Sequence, residues 1–278
     1  MDWTGFYEPI PDVDAYLKRI NIKKQEPSRE YLDALVFAHQ CSIPFETLDV
    51  TDYRRPVSLL TKDMFNKIII RKRGGYCFEL NGLFVLLLQS LGFNAYSCPC
   101  RMLMTDDPVP MPATHRASII KLDNELLFCD VGFGGPMPAG SLIFKEGIEQ
   151  TVKGETFWFN KESDYWYTLN RRTSGKTKVD TAELYRPEVK NKVTTLSLLS
   201  VTPLNYLPVD FYGPNLVRCT GESAFPMRTV ALRRPDGYIS LIGNTFTEVK
   251  GSLRTRISVT EEEAKEILRT RFHLTPEQ

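Results

Sequence analysis

The chain has little that would tie it to a membrane, a polyanion or a metal. Its longest apolar block, Leu83-Phe84-Val85-Leu86-Leu87-Leu88, falls far short of the eighteen or so residues of a bilayer span and suits a buried helix. The 35 basic and 34 acidic side chains leave a net charge of +1. That balance gives no electrostatic footprint for nucleic acid or a membrane surface, although a local cluster would suffice for a small anion. The six cysteines (41, 77, 98, 100, 129, 219) do not form a small secreted disulfide framework, and Cys98-Pro99-Cys100 is too tight for a zinc knuckle. No metal-ligand spacing is present elsewhere. Met1 to Gly5 has neither the basic start nor the apolar stretch of a signal peptide, so the thiols are expected to be reduced in a cytoplasmic protein. Histidine is scarce, with three in 278 residues, which narrows any search for a general base. Internal repeats and low-complexity segments are absent.

What is present begins with helical patterns. Asp12 can cap a helix with Val13, Tyr16, Leu17 and Ile20 on one stripe, and Ser28 a second with Leu32, Leu35, Val36 and His39. That second helix should stop before Pro44. Thr61 opens a third through Ile69, and a fourth runs from Cys77 to a left-handed cap at Gly92. After Phe93, prolines and β-formers take over. Thr105 to Thr114, with three prolines, reads as a loop. Two apolar runs, His115–Leu122 and Glu125–Val131, flank Asp123-Asn124 as a hairpin. Glu155–Phe159 and Tyr165–Leu169 are further strand candidates, and together they suggest an antiparallel sheet or small barrel. Thr194–Leu204 is ambiguous between helix and strand. Thr229–Leu232 and Tyr238–Ile242 form another hairpin, and Thr260-Glu261-Glu262-Glu263 has the spacing of a capping box opening a final helix.

Chemistry concentrates in Arg73-Gly74-Gly75-Tyr76-Cys77-Phe78-Glu79-Leu80-Asn81. Cys77 would sit in the first turn of a helix, beside unpaired N–H groups and the positive end of the dipole, which favours the nucleophilic thiolate. On those grounds alone a buried structural cysteine is an equal reading. Of the histidines, His39 falls on an apolar helix face and is expected to be a satisfied structural residue. His273 follows the last helix near the terminus and is expected to be exposed. His115 opens a strand after the proline-rich loop, where a base could face a cleft. In a hairpin centred on Asp123-Asn124, residues pair when their numbers sum to 247, so His115 and Asp130 become diagonal neighbours on one face. Asp130 could then orient the imidazole, or could merely cap the turn before Gly132. The turn Val131-Gly132-Phe133-Gly134-Gly135-Pro136 could bring backbone N–H groups to phosphate oxygens. It lacks the Lys-Ser/Thr ending of a nucleotide P-loop.

With Ile43-Pro44-Phe45-Glu46 upstream, Arg73 to Asn81, then His115 and Asp130-Val131-Gly132-Phe133-Gly134, the chain resembles the arylamine N-acetyltransferases. The spacings of 38 residues from Cys77 to His115 and 15 from His115 to Asp130 also look like that family's. The resemblance is clear from about Asp12 to Pro136 and thinner beyond. It implies an α+β fold with a cysteine-protease-like Cys-His-Asp core. A helical bundle (1–92) would carry the nucleophile, an antiparallel β-barrel (93–200) the His and Asp, and an α/β lid (201–278) would follow. It implies acetyl transfer from acetyl-CoA to an arylamine, arylhydrazine or N-hydroxyarylamine by a ping-pong route. Cys77 would be the acetylated nucleophile, His115 its base and Asp130 the orienter. Arg73 and Glu46 would be a supporting ion pair, Phe45 and Phe133 aromatic walls for the acceptor, and Gly132, Gly134 and Gly135 the turn near coenzyme A phosphate. No nucleic acid, membrane or metal is implied.

The lid departs from the family's pattern. Asn205-Tyr206-Leu207-Pro208-Val209-Asp210-Phe211-Tyr212 carries Asp210 where a serine is expected, which puts acceptor and donor preference in question. Two other enzyme classes share the Cys, His, Asp/Asn order. One is an amide synthase of the same family working on a larger acyl thioester. The other is a papain- or transglutaminase-like hydrolase, whose Cys-Gly-Ser-Cys-Trp signature is missing around Cys77. A binding or scaffold protein with an inactive thiol is the reading of a different class.

Overall fold

Helix starts are set where a side chain can accept from a free N–H of the first turn. In the computed structural model, which describes residues 3–103, 111–135, 137–172, 195–220 and 225–275, Asp12 accepts from Ala15 N at 2.8 Å and opens α1 (Val13–Arg19). Ser28 accepts from Tyr31 N at 3.1 Å and opens α2 (Arg29–Ser42), which ends just before Ile43-Pro44. A two-residue strand β1 (Phe45–Glu46) and a single turn α3 (Leu48–Thr51) follow. α4 (Thr61–Phe65) is shorter than its apolar stripe predicts, because the backbone widens into a π-type turn over Asn66–Ile70. That widening leaves Lys67 buried rather than on a solvated face. α5 (Cys77–Ser90) is apolar on nearly all sides and buried accordingly, and Gly92 ends the segment with φ +93°.

Eight strands then form one antiparallel sheet: β2 (Asn94–Met102), β3 (His115–Leu122), β4 (Glu125–Cys129), β5 (Leu142–Ile143), β6 (Gln150–Val152), β7 (Glu155–Lys161), β8 (Tyr167–Arg172) and β9 (Thr195–Val201). Their spatial order is β5-β4-β3-β2-β9-β8-β7-β6. A bridge between Glu146 and Phe159 brings the two ends together, so the sheet is a nearly closed barrel. The ambiguous segment resolves as β9, held between β2 and β8 by long-range pairing. Part of the proline-rich loop (105–110) and Pro136 lie outside the described residues.

The last third supplies α6 (Tyr212–Cys219) and a hairpin series β10 (Thr229–Arg234), β11 (Gly237–Ile242), β12 (Thr245–Lys250) and β13 (Leu253–Ser258). α7 (Glu261–Arg271) closes it, and its capping box is present: Thr260 Oγ1 accepts from Glu263 N and Thr260 N donates to Glu263 Oε2 at 2.7 Å. β1 is the outer strand of this second sheet, in the order β1-β10-β11-β12-β13. The Phe45-Glu46 segment therefore bonds at once to the C-terminal sheet and to the loop before Cys77, through Glu46 N to Gly75 O at 2.8 Å. Three hydrophobic clusters lie around α5, inside the barrel, and between the second sheet and α7. Cys77 sits where the first meets the barrel. No helix among the described residues is long and apolar enough to cross a membrane.

Candidate active site

The glycine pair before Cys77 is needed for close approach. A Cβ on Gly74 would lie 2.1 Å from the Pro44 carbonyl oxygen, and one on Gly75 2.9 Å from Glu79 Oε2. That room lets Glu79 reach back one turn and accept from Tyr76 N at 3.0 Å, which fixes the start of α5. Cys77 is the first residue of the helix and 5% exposed, with Sγ 3.9 Å from the Thr114 carbonyl.

The hairpin has the expected register, with Ser118 facing Cys129 and Lys121 facing Leu126. His115 and Asp130 meet across it at 2.6 Å, Nε2 to Oδ2, and both are buried. Because Nε2 is taken, Nδ1 is the ring nitrogen left for Cys77. Burial alone would lower the His115 pKa, but the Asp130 carboxylate and the Cys77 sulfur outweigh it and raise it to about 10. The imidazolium is thus favoured at neutral pH. Phe133 packs edge-on against the ring, centroids 5.5 Å apart.

Asn81 ties the nucleophile's helix to these strands. Its Nδ2 donates to Asp130 Oδ1 at 2.9 Å and to the Arg116 carbonyl at 2.6 Å, and its Oδ1 accepts from Val131 N at 2.9 Å. This anchoring was not assigned from sequence, although Asn81 stands four residues after Cys77 on the same helix face. Asp130 Oδ1 also accepts from Gly132 N at 2.8 Å. With a carboxylate so occupied, Asp130 does more than cap its own turn.

Beneath Cys77 lies a buried charge cluster larger than the expected pair. Arg73 donates to Glu46 Oε1 through Nε at 3.0 Å and Nη2 at 2.7 Å, and Nη2 also reaches Asp49 at 3.1 Å. Lys67, unforeseen because the π-type turn was unforeseen, bonds Asp49 at 2.7 Å and Glu79 at 2.8 Å. Burial is the largest influence on Asp49, Lys67 and Glu79. Lys67 and Arg73 nonetheless hold Asp49 well below the usual carboxylate range, while Glu79, with Glu46 and Asp49 nearby, is raised to about 7. Three acids share two buried cations, with Arg55 at the rim 3.0 Å from Asp49, and Glu79 holds its proton more readily than Asp49.

On the far side of the glycine turn a cleft of about 670 Å³ opens between the barrel and the C-terminal sheet. Phe45, Asp130, Phe133, Gly134 and Gly135 form its inner wall; Lys153, Arg171, Arg172, Arg233 and Arg234 line it further out. Cys77 and His115 do not border the cleft, so the turn is the partition between it and the thiol. Gly134 takes φ +73°, and a Cβ there would lie 2.6 Å from the Phe45 ring. Gly132 behaves differently from its neighbours: its N–H is spent on Asp130, and a Cβ there would lie 3.0 Å from the Cys77 Cα.

Two other readings need correction or relocation. His39 is fully buried as expected but not satisfied: neither ring nitrogen has a hydrogen-bond partner among the described residues. It packs against Tyr16 and Phe84, and burial lowers its pKa to about 3, so it stays a neutral packing group. Asp210 in the divergent segment is exposed and accepts from Leu207 N at 2.9 Å, which spends its carboxylate on its own turn. His273 is exposed.

A buried thiol at a helix start, an imidazolium on an inward strand and a carboxylate fixing its far nitrogen define a cysteine nucleophile site of the acyl-transfer kind. The family model described as N-acetyltransferase matches residues 29–277. The arylamine N-acetyltransferase of Escherichia coli is 36% identical over 157 residues, 56% of this chain and 56% of that enzyme. The chain thus spans little more than half the length of the first curated relatives it matches. The solved arylamine N-acetyltransferase of Salmonella typhimurium superposes with a TM-score of 0.83 at 25% identity, covering 96% of this chain and 92% of that one. The Mycobacterium marinum enzyme in complex with CoA gives 0.81 at 24% identity, over 94% and 92%. The chain belongs to the N-acetyltransferase family whose relatives carry the arylamine N-acetyltransferase name.

Proposed function

We propose that the chain transfers an acetyl group from acetyl-CoA to an arylamine, arylhydrazine or N-hydroxyarylamine through a thioester on Cys77. The observation that carries this is the 2.6 Å pairing of His115 Nε2 with Asp130, which holds the imidazole charged with Nδ1 left for the thiol. With the Sγ proton already resting on His115 Nδ1, the Cys77 thiolate attacks the thioester carbonyl carbon. The bond from that carbon to the CoA sulfur breaks, His115 returns the proton to the leaving CoA thiolate, and acetyl stays on Sγ. In the second half the acceptor nitrogen attacks the acetyl carbon, its proton goes to His115, and Sγ departs as thiolate. The N–H groups of Cys77 and Phe78, the first two of α5, precede the helix's first internal bond and are the donors for the tetrahedral oxyanion. Such a donor is typically worth about 3–4 kcal/mol.

The residue roles are part of the same reading. Gly134 and Gly135, which admit close approach, and the cations of the cleft suit the diphosphate and 3′-phosphate of coenzyme A. Phe45 and Phe133 border the same cleft near Asp130 and suit a flat acceptor ring. Gly132 serves Asp130 rather than phosphate, and Arg73 with Glu46 supports the loop before Cys77. The division at about residues 92 and 200 is likewise ours; the barrel cluster falls almost wholly between those boundaries, while that around α5 also takes in Ile120, Leu127 and Phe211. Thiol release from acetyl-CoA, with and without 4-methoxyaniline, tests the whole. Acceptor-dependent release in the native chain and none in Cys77→Ser is expected. Undiminished release in Cys77→Ser would remove the thioester. Turnover confined to a larger acyl thioester, or peptide hydrolysis alone, would move the chain to an amide synthase or a hydrolase.

A further inference from the structure

Arg116 follows His115 on β3, so its side chain leaves the opposite face of the strand. It is 3% exposed, yet no carboxylate contacts it among the described residues. Its Nε donates to Ser97 Oγ at 2.8 Å, Nη1 lies 3.4 Å from the Phe78 carbonyl, and the guanidinium sits 4.6 Å over the Phe211 ring. The fold makes space for this cation at a cost. Gly82, inside α5, is a position where a Cβ would come within 2.6 Å of Nη1, and a mid-helix glycine is less favourable than alanine. Burial lowers the Arg116 pKa to about 9. A buried cation with no carboxylate beside it, and only the sulfurs of Cys77 and Cys98 favouring its charge, is expensive, and an anion would relieve it.

Space for one exists. A cavity of about 490 Å³ lies between the second half of α5, β2 and the Pro203–Pro208 segment, and Arg116 lines it. Its lining includes Arg116 and Lys121 but no aspartate or glutamate, and it shares no residue with the cleft beside Asp130. Its rim carries exposed Tyr7, Leu204, Tyr206 and Leu207 (49, 48, 39 and 53%) on one side and exposed Gln89, Asn94, Lys121 and Asn205 on the other. A buried cation in a cavity with one apolar flank suits a ligand with a negative charge and an apolar body. We propose that this cavity behind α5 binds a small organic monocarboxylate, its carboxylate on Arg116 and its apolar body against the Tyr206–Leu207 rim, at a site separate from the thiol. Val85 and Leu86 line it about 12–14 Å along α5 from Cys77, and Arg116 touches the first turn of the same helix.

The probe is 2-naphthoate, titrated calorimetrically into the full chain, with the neutral 2-naphthamide as its isostere. Native chain should bind the carboxylate roughly tenfold or more tightly than the amide, the difference expected for a hydrogen-bonded buried charge. Arg116→Gln should lose a similar factor, and Leu86→Trp, which fills the cavity with Arg116 intact, should abolish binding. Thermal melts establish that each variant folds, and if Arg116→Gln does not, Leu86→Trp and the amide decide. Equal affinity for naphthoate and naphthamide, naphthoate binding unchanged in Leu86→Trp, or no binding to the native chain would each overturn the assignment.

Discussion

Replacing Asp130 with asparagine tests the base directly. In the native chain the carboxylate accepts from His115 Nε2 at 2.6 Å, while Asn81 Nδ2 and Gly132 N hold its other oxygen at 2.9 and 2.8 Å. Those two donors keep an amide oxygen at Oδ1 in Asp130→Asn, so the new NH2 group faces His115. Nε2 must then accept, the proton moves to Nδ1, and the imidazole can no longer take the Sγ proton. A buried charge-assisted bond worth about 1.5–3 kcal/mol is lost as well. In the serine-protease triad the same exchange costs about 10⁴ in kcat, so a fall of roughly 10³ to 10⁴ in acetyl transfer is expected here. The sign of the pH effect follows from the same geometry. His115 now loses its proton only as the pH nears 10; with Asp130 neutralised, the largest influence opposing burial is gone and its pKa falls. Alkylation of Cys77 by iodoacetamide at neutral pH should therefore be slower in Asp130→Asn than in the native chain. Activity within tenfold of native, with an unchanged alkylation rate and a folded variant, would refute the pairing as the source of the base.

Three further outcomes follow from neighbouring contacts. Lys67→Met removes bonds of 2.7 and 2.8 Å from Asp49 and Glu79 and should destabilise the chain by about 3–5 kcal/mol in urea titrations, with much of the loss restored by adding Glu79→Gln. Glu79, raised to about 7, binds its proton more readily folded than unfolded, so its share of stability is complete below about 4.5 and lost as the pH rises through 7. That slope should vanish in Glu79→Gln. Gly134→Val, strained by φ +73° and pressed on the Phe45 ring, should raise the KM for acetyl-CoA while leaving iodoacetamide alkylation of Cys77 within about threefold of native.

What could be read from the residues alone was what local chemistry decides. Asp12, Ser28 and Thr260 announce helix starts because each cap lies within three residues of its partner. The Asp123-Asn124 turn sets the 247 register, with φ of +49° and +64° at its two residues, and that register brings His115 to Asp130. Features made by distant segments stayed hidden. Lys67 is given no role by local pattern, and the π-type turn directs it inward onto Asp49 and Glu79. Thr195–Val201 has no clear period because both its edges are taken, by β2 and β8. Phe45-Glu46 becomes a strand only through its partner β10, which lies nearly two hundred residues away. His39 shows the converse error: an apolar helix face correctly implies burial, but says nothing about whether a hydrogen-bond partner waits inside.

The central claim is that Cys77 carries the acetyl group between two half-reactions. Mixing the native chain with acetyl-CoA and no acceptor, quenching in acid and mapping peptides by mass should place one acetyl group on Cys77 alone. A chase with 4-methoxyaniline should discharge it and yield the acetylated amine. Release of CoA with no acetyl on Cys77, or an acetyl-Cys77 that the arylamine leaves untouched, would contradict it.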